Sequence, residues 1–298
     1  MQTSGLKGEA VTDQVFLDGY LRHIRACNNA RLPGDRVAFR IGAALVGWVK
    51  RAFAAKLAGC PEIHVDANGV TLADGSALPA LSRRLSDSGC YRWRREAFDI
   101  RAEADGPVLA QLDRGALPSF GVLAVGVHVN GLVRRADGLH VWIARRAANK
   151  LLDPGKLDHI VAGGVPAGLD AAETLVKEAA EEAAIPGSLA GTAVHVATIG
   201  YAMERQEGLR RDLLHCYDLE LPEDFRPHAA DGEVEAFELW PIAHVVQTVR
   251  ETDEFKFNVN LVLIDLFLRL GLIAGEEAQV LRKGLAGSSH EDDMACRQ

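Results

Sequence analysis

No stretch constrains the fold of this chain more than Asp158 to Ile185, DHIVAGGVPAGLDAAETLVKEAAEEAAI. Its order is a short apolar strand, a glycine loop and a helix crowded with carboxylates. Asp170 can serve as N-cap, and Glu173 three residues later can bond back to it, a capping box ahead of strong helix formers. Pro186-Gly187 then stops the helix. At about 100° per residue, Ala172, Val176, Ala179 and Ala183 share one side, and Glu178, Glu181 and Glu182 share the other. The small residues are expected to pack on a sheet while the carboxylates project together.

That projection is unfavourable by itself. Like charges at i, i+4, such as Glu178 and Glu182, destabilise a helix by roughly 0.2–0.5 kcal/mol. Lys177 is spaced to offset Glu181 only. A hard divalent cation taking oxygen ligands would explain three converging carboxylates, and a solvated acidic face explains them equally well from the helix alone.

The run Lys177-Glu178-Ala179-Ala180-Glu181-Glu182-Ala183-Ala184-Ile185 resembles the core of the Nudix box, with Gly163 at the spacing of the box's leading glycine. Lys177 stands for its Arg, Ala184 for its Gly, and Leu169 for its leading Glu, with Asp170 adjacent. Outside the box, DRGALPSFG, KLDHIVAGG, YDLELPEDFRP and DGEVEAF are similar to Nudix proteins related to thiamine pyrophosphokinase. The resemblance runs from about the first helix to Leu272. It implies an α+β chain whose Nudix fold is a mixed β-sheet sandwiched between helices, preceded by a smaller N-terminal α+β domain. The expected units are 1–116, the Nudix domain at 117–275, and a helix end with a disordered tail at 276–298.

The resemblance also implies a chemistry. Glu178, Glu181, Glu182 and the Gly163 backbone would hold Mg²⁺, or Mn²⁺ in its place, and Gly164 would let the main chain approach phosphate. The glycine pair alone reads more simply as a tight turn. Glu181, Glu182 or Glu233 would supply catalytic carboxylates. Lys156, Arg145, Arg146 and Lys256 are candidate phosphate contacts, although most surface basic residues have no such role. The reaction would take a small-molecule diphosphate to a monophosphate plus phosphate, with thiamine diphosphate or its oxo and oxy forms as the leading substrate. A nucleoside diphosphate derivative such as an ADP-sugar is the second reading. A non-catalytic ligand-binding module is the third, and the retained Glu178/Glu182 pairing argues against it.

Charge and cysteine use limit the rest. With 33 basic and 41 acidic residues, a net charge of −8 argues against nucleic-acid binding through a basic surface. Five scattered cysteines without CxxC spacing read as free thiols of a reducing cytoplasm. No signal pattern opens the chain, and Val259 to Ile273 is too short and too charged to span a bilayer, so a cytoplasmic protein without a membrane partner is expected. Homodimerisation is common among Nudix proteins and is expected by that analogy. Val37 to Lys50 reads as a strand with a glycine bend, Asn130 to Gly138 as a polar hairpin, and His128, His195 and His215 as core histidines. Met1 to Glu9 reads as frayed and Gly287 to Gln298 as disordered.

Overall fold

The computed structural model describes residues 5–229 and 232–286, with side chains from residue 16 onward. Met1–Ser4 and the expected tail at Gly287–Gln298 lie outside the described residues, whereas Gly5 to Glu9 belong to the first helix.

A seven-stranded mixed sheet organises the larger part of the chain. Strands β7 (Leu123–Arg135) and β8 (Gly138–Arg146) form its central hairpin. The polar hairpin expected over Asn130 to Gly138 contracts to Ala136-Asp137, because Gly131 to Arg135 stay paired with Trp142 to Gly138. Asn130 is buried and donates its side-chain amide to Asp218 Oδ1 at 2.8 Å. Strand β12 (Gly208–Glu220) runs parallel to β7, β11 (Val194–Arg205) pairs with β12, and β13 (Val234–Pro241) pairs with β8.

The sheet forks at this hairpin. β9 (Leu157–His159) pairs with β8, and after the fully buried Ile160, β10 (Val161–Gly164) pairs instead with the first half of β7. A chain that changes partner between adjacent strands leaves a gap in the hydrogen-bonding lattice. The fork opens the cleft that carries the site.

Helices cover both faces. On one, α5 (Ala171–Ala183) packs with Val127, Val129, Ile160 and Val161. On the other lie α7 (Ile242–Glu251), α8 (Val259–Arg269) and α9 (Gly275–Ala286), with α8 burying nine of its eleven residues. The long first helix α1 (Gly5–Cys27) joins this second layer, since Tyr20, Ile24 and Cys27 share a core with Val249, Phe267 and Leu281. The 1–116 and 276–298 units expected from the sequence are therefore cut differently by packing: α1 and α9 both close the core of the larger domain.

The N-terminal unit is a second α+β body. Its four-stranded sheet is ordered β2 (Ala44–Lys50), β1 (Arg36–Ile41), β4 (Gly69–Leu72), β3 (Ile63–Asp66). Helices α2 (Arg51–Leu57) and α3 (Leu78–Asp87) and the hairpin of β5 (Ala97–Ile100) with β6 (Ala110–Asp113) complete it. The single bent strand expected over Val37 to Lys50 is two strands turning at Gly42, with φ +57°. Gly47 lies inside β2, where a Cβ would stand 2.4 Å from Phe120 O. Among the described residues, no helix is long and apolar enough to cross a membrane.

Tyr20 tests the role of α1. Its ring is fully buried, and its hydroxyl has no hydrogen-bond partner among the described residues. Tyr20→Ala is expected to lower unfolding stability by about 3–5 kcal/mol, and Tyr20→Phe to be neutral or stabilising, as read from urea midpoints. An unchanged midpoint in Tyr20→Ala would remove α1 from the core.

Candidate active site

The glycine loop and α5 are built as their sequence implies. Asp170 accepts from Glu173 N at 2.8 Å, and Glu173 Oε2 accepts from Asp170 N at 3.0 Å, completing the capping box. Gly163 has no room for a side chain: a Cβ there would stand 2.7 Å from Glu178 Cγ. At the other end of α5, Ala184 occupies the left-handed region, φ +53°. Glycine would adopt that conformation without strain.

The three box glutamates do not project alike. The buried row of α5 runs through Leu175, Ala179, Glu182 and Ala183, while Ala172 is exposed and Val176 half-buried. Glu182, expected opposite the packed side, is only 8% exposed, and its Oε2 accepts from Ala162 N at 2.9 Å. Burial, with the charges of Asp158, Glu178 and Glu233, pushes its pKa up to about 8 despite that hydrogen bond. Glu178 is half-buried and also raised, first by burial and further by Glu181 and Glu96, while Lys177 works against the shift. Glu181 stays on the exposed rim. Lys177 bridges Glu178 at 3.0 Å and Glu181 at 2.7 Å, so it offsets two of the three carboxylates where the spacing pointed to one.

A narrow cleft of about 240 Å³, including its open mouth, lies at the fork, lined by Ala144, Arg146, Lys150, Asp158, Ala162, Glu182 and Glu233, among others. Lys150, which sequence reasoning missed, pairs with Glu233. Burial pushes Glu233 up, but Lys150, helped by Arg114 and Arg146, leaves it below the ordinary carboxylate range. Arg146 reaches the cleft with each of its three nitrogens donating, to Asp158 at 2.7 Å and to the carbonyls of Leu152 and Asp153. Lys256 is buried behind it, 3.3 Å from Asp158 Oδ2. The structure does not bring the other two cations to this cleft. Arg145 turns to Gly155 O, and Lys156 donates to Asp253 O beside a separate recess lined by Phe255 and Phe257.

With this geometry in view, the comparisons with known proteins decide the family. A family model described as NUDIX domain matches residues 124–259, and one described as Domain of unknown function (DUF4743) matches 19–124. Nudix hydrolase 20, chloroplastic, of Arabidopsis thaliana is 36% identical over 296 residues, covering 92% of this chain and 79% of its own length. This chain belongs to the Nudix hydrolase family. Nudix hydrolase 24, chloroplastic, of the same plant is 36% identical over 276 residues, 87% of this chain and 75% of its own length. Among solved structures, DR0079 of Deinococcus radiodurans is similar at 21% identity with a TM-score of 0.43, covering 63% of this chain and 98% of that one.

A Nudix hydrolase acts on phosphorus-containing acid anhydrides, and Nudix enzymes generally use divalent metals. The donors here fit such a cation. They are carboxylate oxygens and a backbone carbonyl strand, with no thiolate, and two of the carboxylates are held at raised pKa by burial among other negative charges. A cation held by Glu178, Glu182 and the more exposed Glu181 would neutralise phosphate oxygens and acidify a bound water. What the chain itself supplies is placement. Ala162 N–H fixes Glu182, Gly163 seats Glu178, and Lys150 keeps Glu233 anionic opposite them.

In the cluster through which Asp158 and His159 line the cleft, the ligand atoms of His128, Asp158 and His159 lie within 4.8 Å of one another. Lys256 and Arg146 already more than balance Asp158, so this cluster repels a further cation and serves as a buried polar brace. His128 belongs to the core as expected. His195 and His215 do not, for they face each other at 3.4 Å on the more exposed β11–β12 side.

Two outcomes are expected from these placements. Ala184→Gly relieves the left-handed backbone and should raise stability by about 1 kcal/mol, read from urea midpoints; a loss would refute the conformation. Burial also lowers His128 and His159, the latter to about 4. Unfolded imidazoles titrate near about 6.5, so the unfolded chain binds more protons below that value. The stability they contribute is complete above about pH 6.5 and is lost as pH falls toward 4. Urea midpoints should drop across this window, less steeply in His159→Asn, and a flat wild-type profile would contradict the buried neutral pair.

Proposed function

We propose that this Nudix hydrolase cleaves thiamine diphosphate, or its oxo and oxy derivatives, to the monophosphate plus phosphate. Mg²⁺ or Mn²⁺ held by Glu178, Glu181 and Glu182 is part of the same reading. The observation that carries it is a convergence of segments. Two of the four stretches that resemble the thiamine pyrophosphokinase-related branch line one cleft: KLDHIVAGG supplies Asp158, His159 and Ala162, and DGEVEAF supplies Glu233 and Val234. Resemblance confined to scattered core positions would carry no such message.

In this reading Glu233 is the base. It remains ionised at neutral pH because Lys150 pairs with it, and it faces Glu182 across the cleft. Glu182 is the carboxylate whose loss costs most, since among the three box glutamates it is the one that is buried and tied to the backbone of the glycine strand.

Monophosphate release from thiamine, oxothiamine and nucleoside diphosphates, measured with Mg²⁺ and after chelation, tests the assignment. Thiamine compounds should be turned over, chelation should abolish the reaction, and Glu182→Gln should lower kcat by about 100-fold or more. Turnover confined to nucleoside diphosphate derivatives would replace the substrate. Turnover that persists under chelation would remove the metal.

A further inference from the structure

Two glycines carry β10 toward α5, and each is pressed by a different neighbour. A Cβ on Gly163 would stand 2.7 Å from Glu178 Cγ, and a Cβ on Gly164 would stand 2.5 Å from Phe98 Cζ. Neither glycine has a backbone in the left-handed region, so close approach is what excludes a side chain at both. Successive Cβ positions of a strand point to opposite faces. The end of β10 is therefore a single layer of backbone, with a box glutamate against one face and a ring of the N-terminal unit against the other.

The backbone donors of the loop divide in the same way. Pro166 has no N–H, Val165 N donates to Val125 O at 2.8 Å within the Nudix sheet, and Leu169 N donates to Pro166 O at 3.2 Å. The other two leave the Nudix domain. Ala167 N donates to Ala97 O at 2.7 Å, and Gly168 N donates to Asp99 Oδ2 at 3.3 Å. Three consecutive residues of β5 thus hold the loop, by a carbonyl, a ring and a carboxylate.

Strand β5 can do so because it is itself fixed. Phe98 is buried in the core of the N-terminal unit and pairs with Leu112 across the hairpin. Asp99 accepts from Gln111 Nε2 at 3.2 Å and from Arg101 Nη2 at 3.4 Å. Glu178, by contrast, has no backbone tie like that of Glu182. Its carboxylate accepts from Lys177 at 3.0 Å, and its position is set by the Gly163 surface on which it lies. Close-packed interiors transmit displacement, so a shift of the strand end away from Phe98 reaches Glu178.

We infer that the N-terminal domain is a brace for the metal loop, with Phe98 and Asp99 acting through Gly164 and Gly168 to set the position of Glu178. The inference rests on the metal-dependent reading above. Both are positioning residues, and neither touches substrate or the reacting atoms.

The test uses the full chain as wild type, Gly164→Ala, Phe98→Leu, the double variant of these two, Asp99→Ala and Asp99→Asn. Mn²⁺ affinity is measured without substrate by electron paramagnetic resonance, and hydrogen exchange of the metal-free chain follows the amides of Ala167 and Gly168. Gly164→Ala should weaken Mn²⁺ binding by roughly tenfold or more, as expected where the support of a metal ligand is disturbed. Replacing the ring removes the clash, so the double variant should return to within about threefold of wild type. A methyl group that acted only by blocking phosphate would leave Mn²⁺ affinity unchanged and would gain nothing from a change at residue 98. Asp99→Ala should speed Gly168 exchange by roughly 3- to 10-fold, and Asp99→Asn, which keeps an acceptor, should restore it. Mn²⁺ affinity of Gly164→Ala within about twofold of wild type would overturn the inference. A double variant no better than Gly164→Ala, or unchanged Gly168 exchange in Asp99→Ala, would overturn it as well. A wild type that binds no Mn²⁺ while Gly168 exchange responds as expected would count against the metal reading alone.

Discussion

Glu182 is a carboxylate set where water barely reaches, and its bond from Ala162 N–H ties α5 to the strand twenty residues earlier. Burying a charge with a single hydrogen bond is unfavourable, and the rise of its pKa to about 8 expresses that cost. A cation held at the site would offset that cost. Everything around the fork serves this arrangement. β10 must leave β9's partner to reach Glu182, Gly163 must lack a side chain to admit Glu178, and the capping box must start α5 at the right turn.

The positive charges sort by what already holds them. Arg146 and Lys256 converge on Asp158, which burial alone would raise and which they bring well below its usual range. Removing either partner would strand a buried charge, an effect far larger than that of a surface pair. Their role is to hold β8, β9 and the segment before α8 together behind the cleft.

The local rules of the sequence carried well. Capping box, glycine loop, strand periods and the three glutamates can all be read within windows of a few residues, and the structure builds those elements there. The failures are contacts between distant residues. Nothing near Lys256 announces Asp158, 98 residues away, so a buried brace reads as a surface cation. Lys150 lies in an unpatterned loop and gains meaning only from Glu233. Glu182 seemed to face outward because helical geometry alone supplies one packed side, whereas α5 is also enclosed by the β9–β10 crossing. The same holds for the terminal helices: α1 and α9 have ordinary amphipathic patterns, and only tertiary packing reveals that both cover the larger sheet.

The departures from the Nudix box then connect with the second domain. The box's leading Glu is absent, with Leu169 in its place, and Ala184 sits in a left-handed conformation that the box's Gly would occupy without strain. A loop lacking such internal devices needs support from elsewhere, and here the support is visible. Ala97 O and the Asp99 carboxylate take the N–H groups of Ala167 and Gly168, just ahead of Leu169, while Phe98 covers Gly164. A free-standing Nudix domain must encode the shape of this loop within the loop itself. This chain distributes the task over two domains, with β5 bracing the loop from outside the Nudix domain. The N-terminal domain therefore cannot shift without moving the loop that seats Glu178.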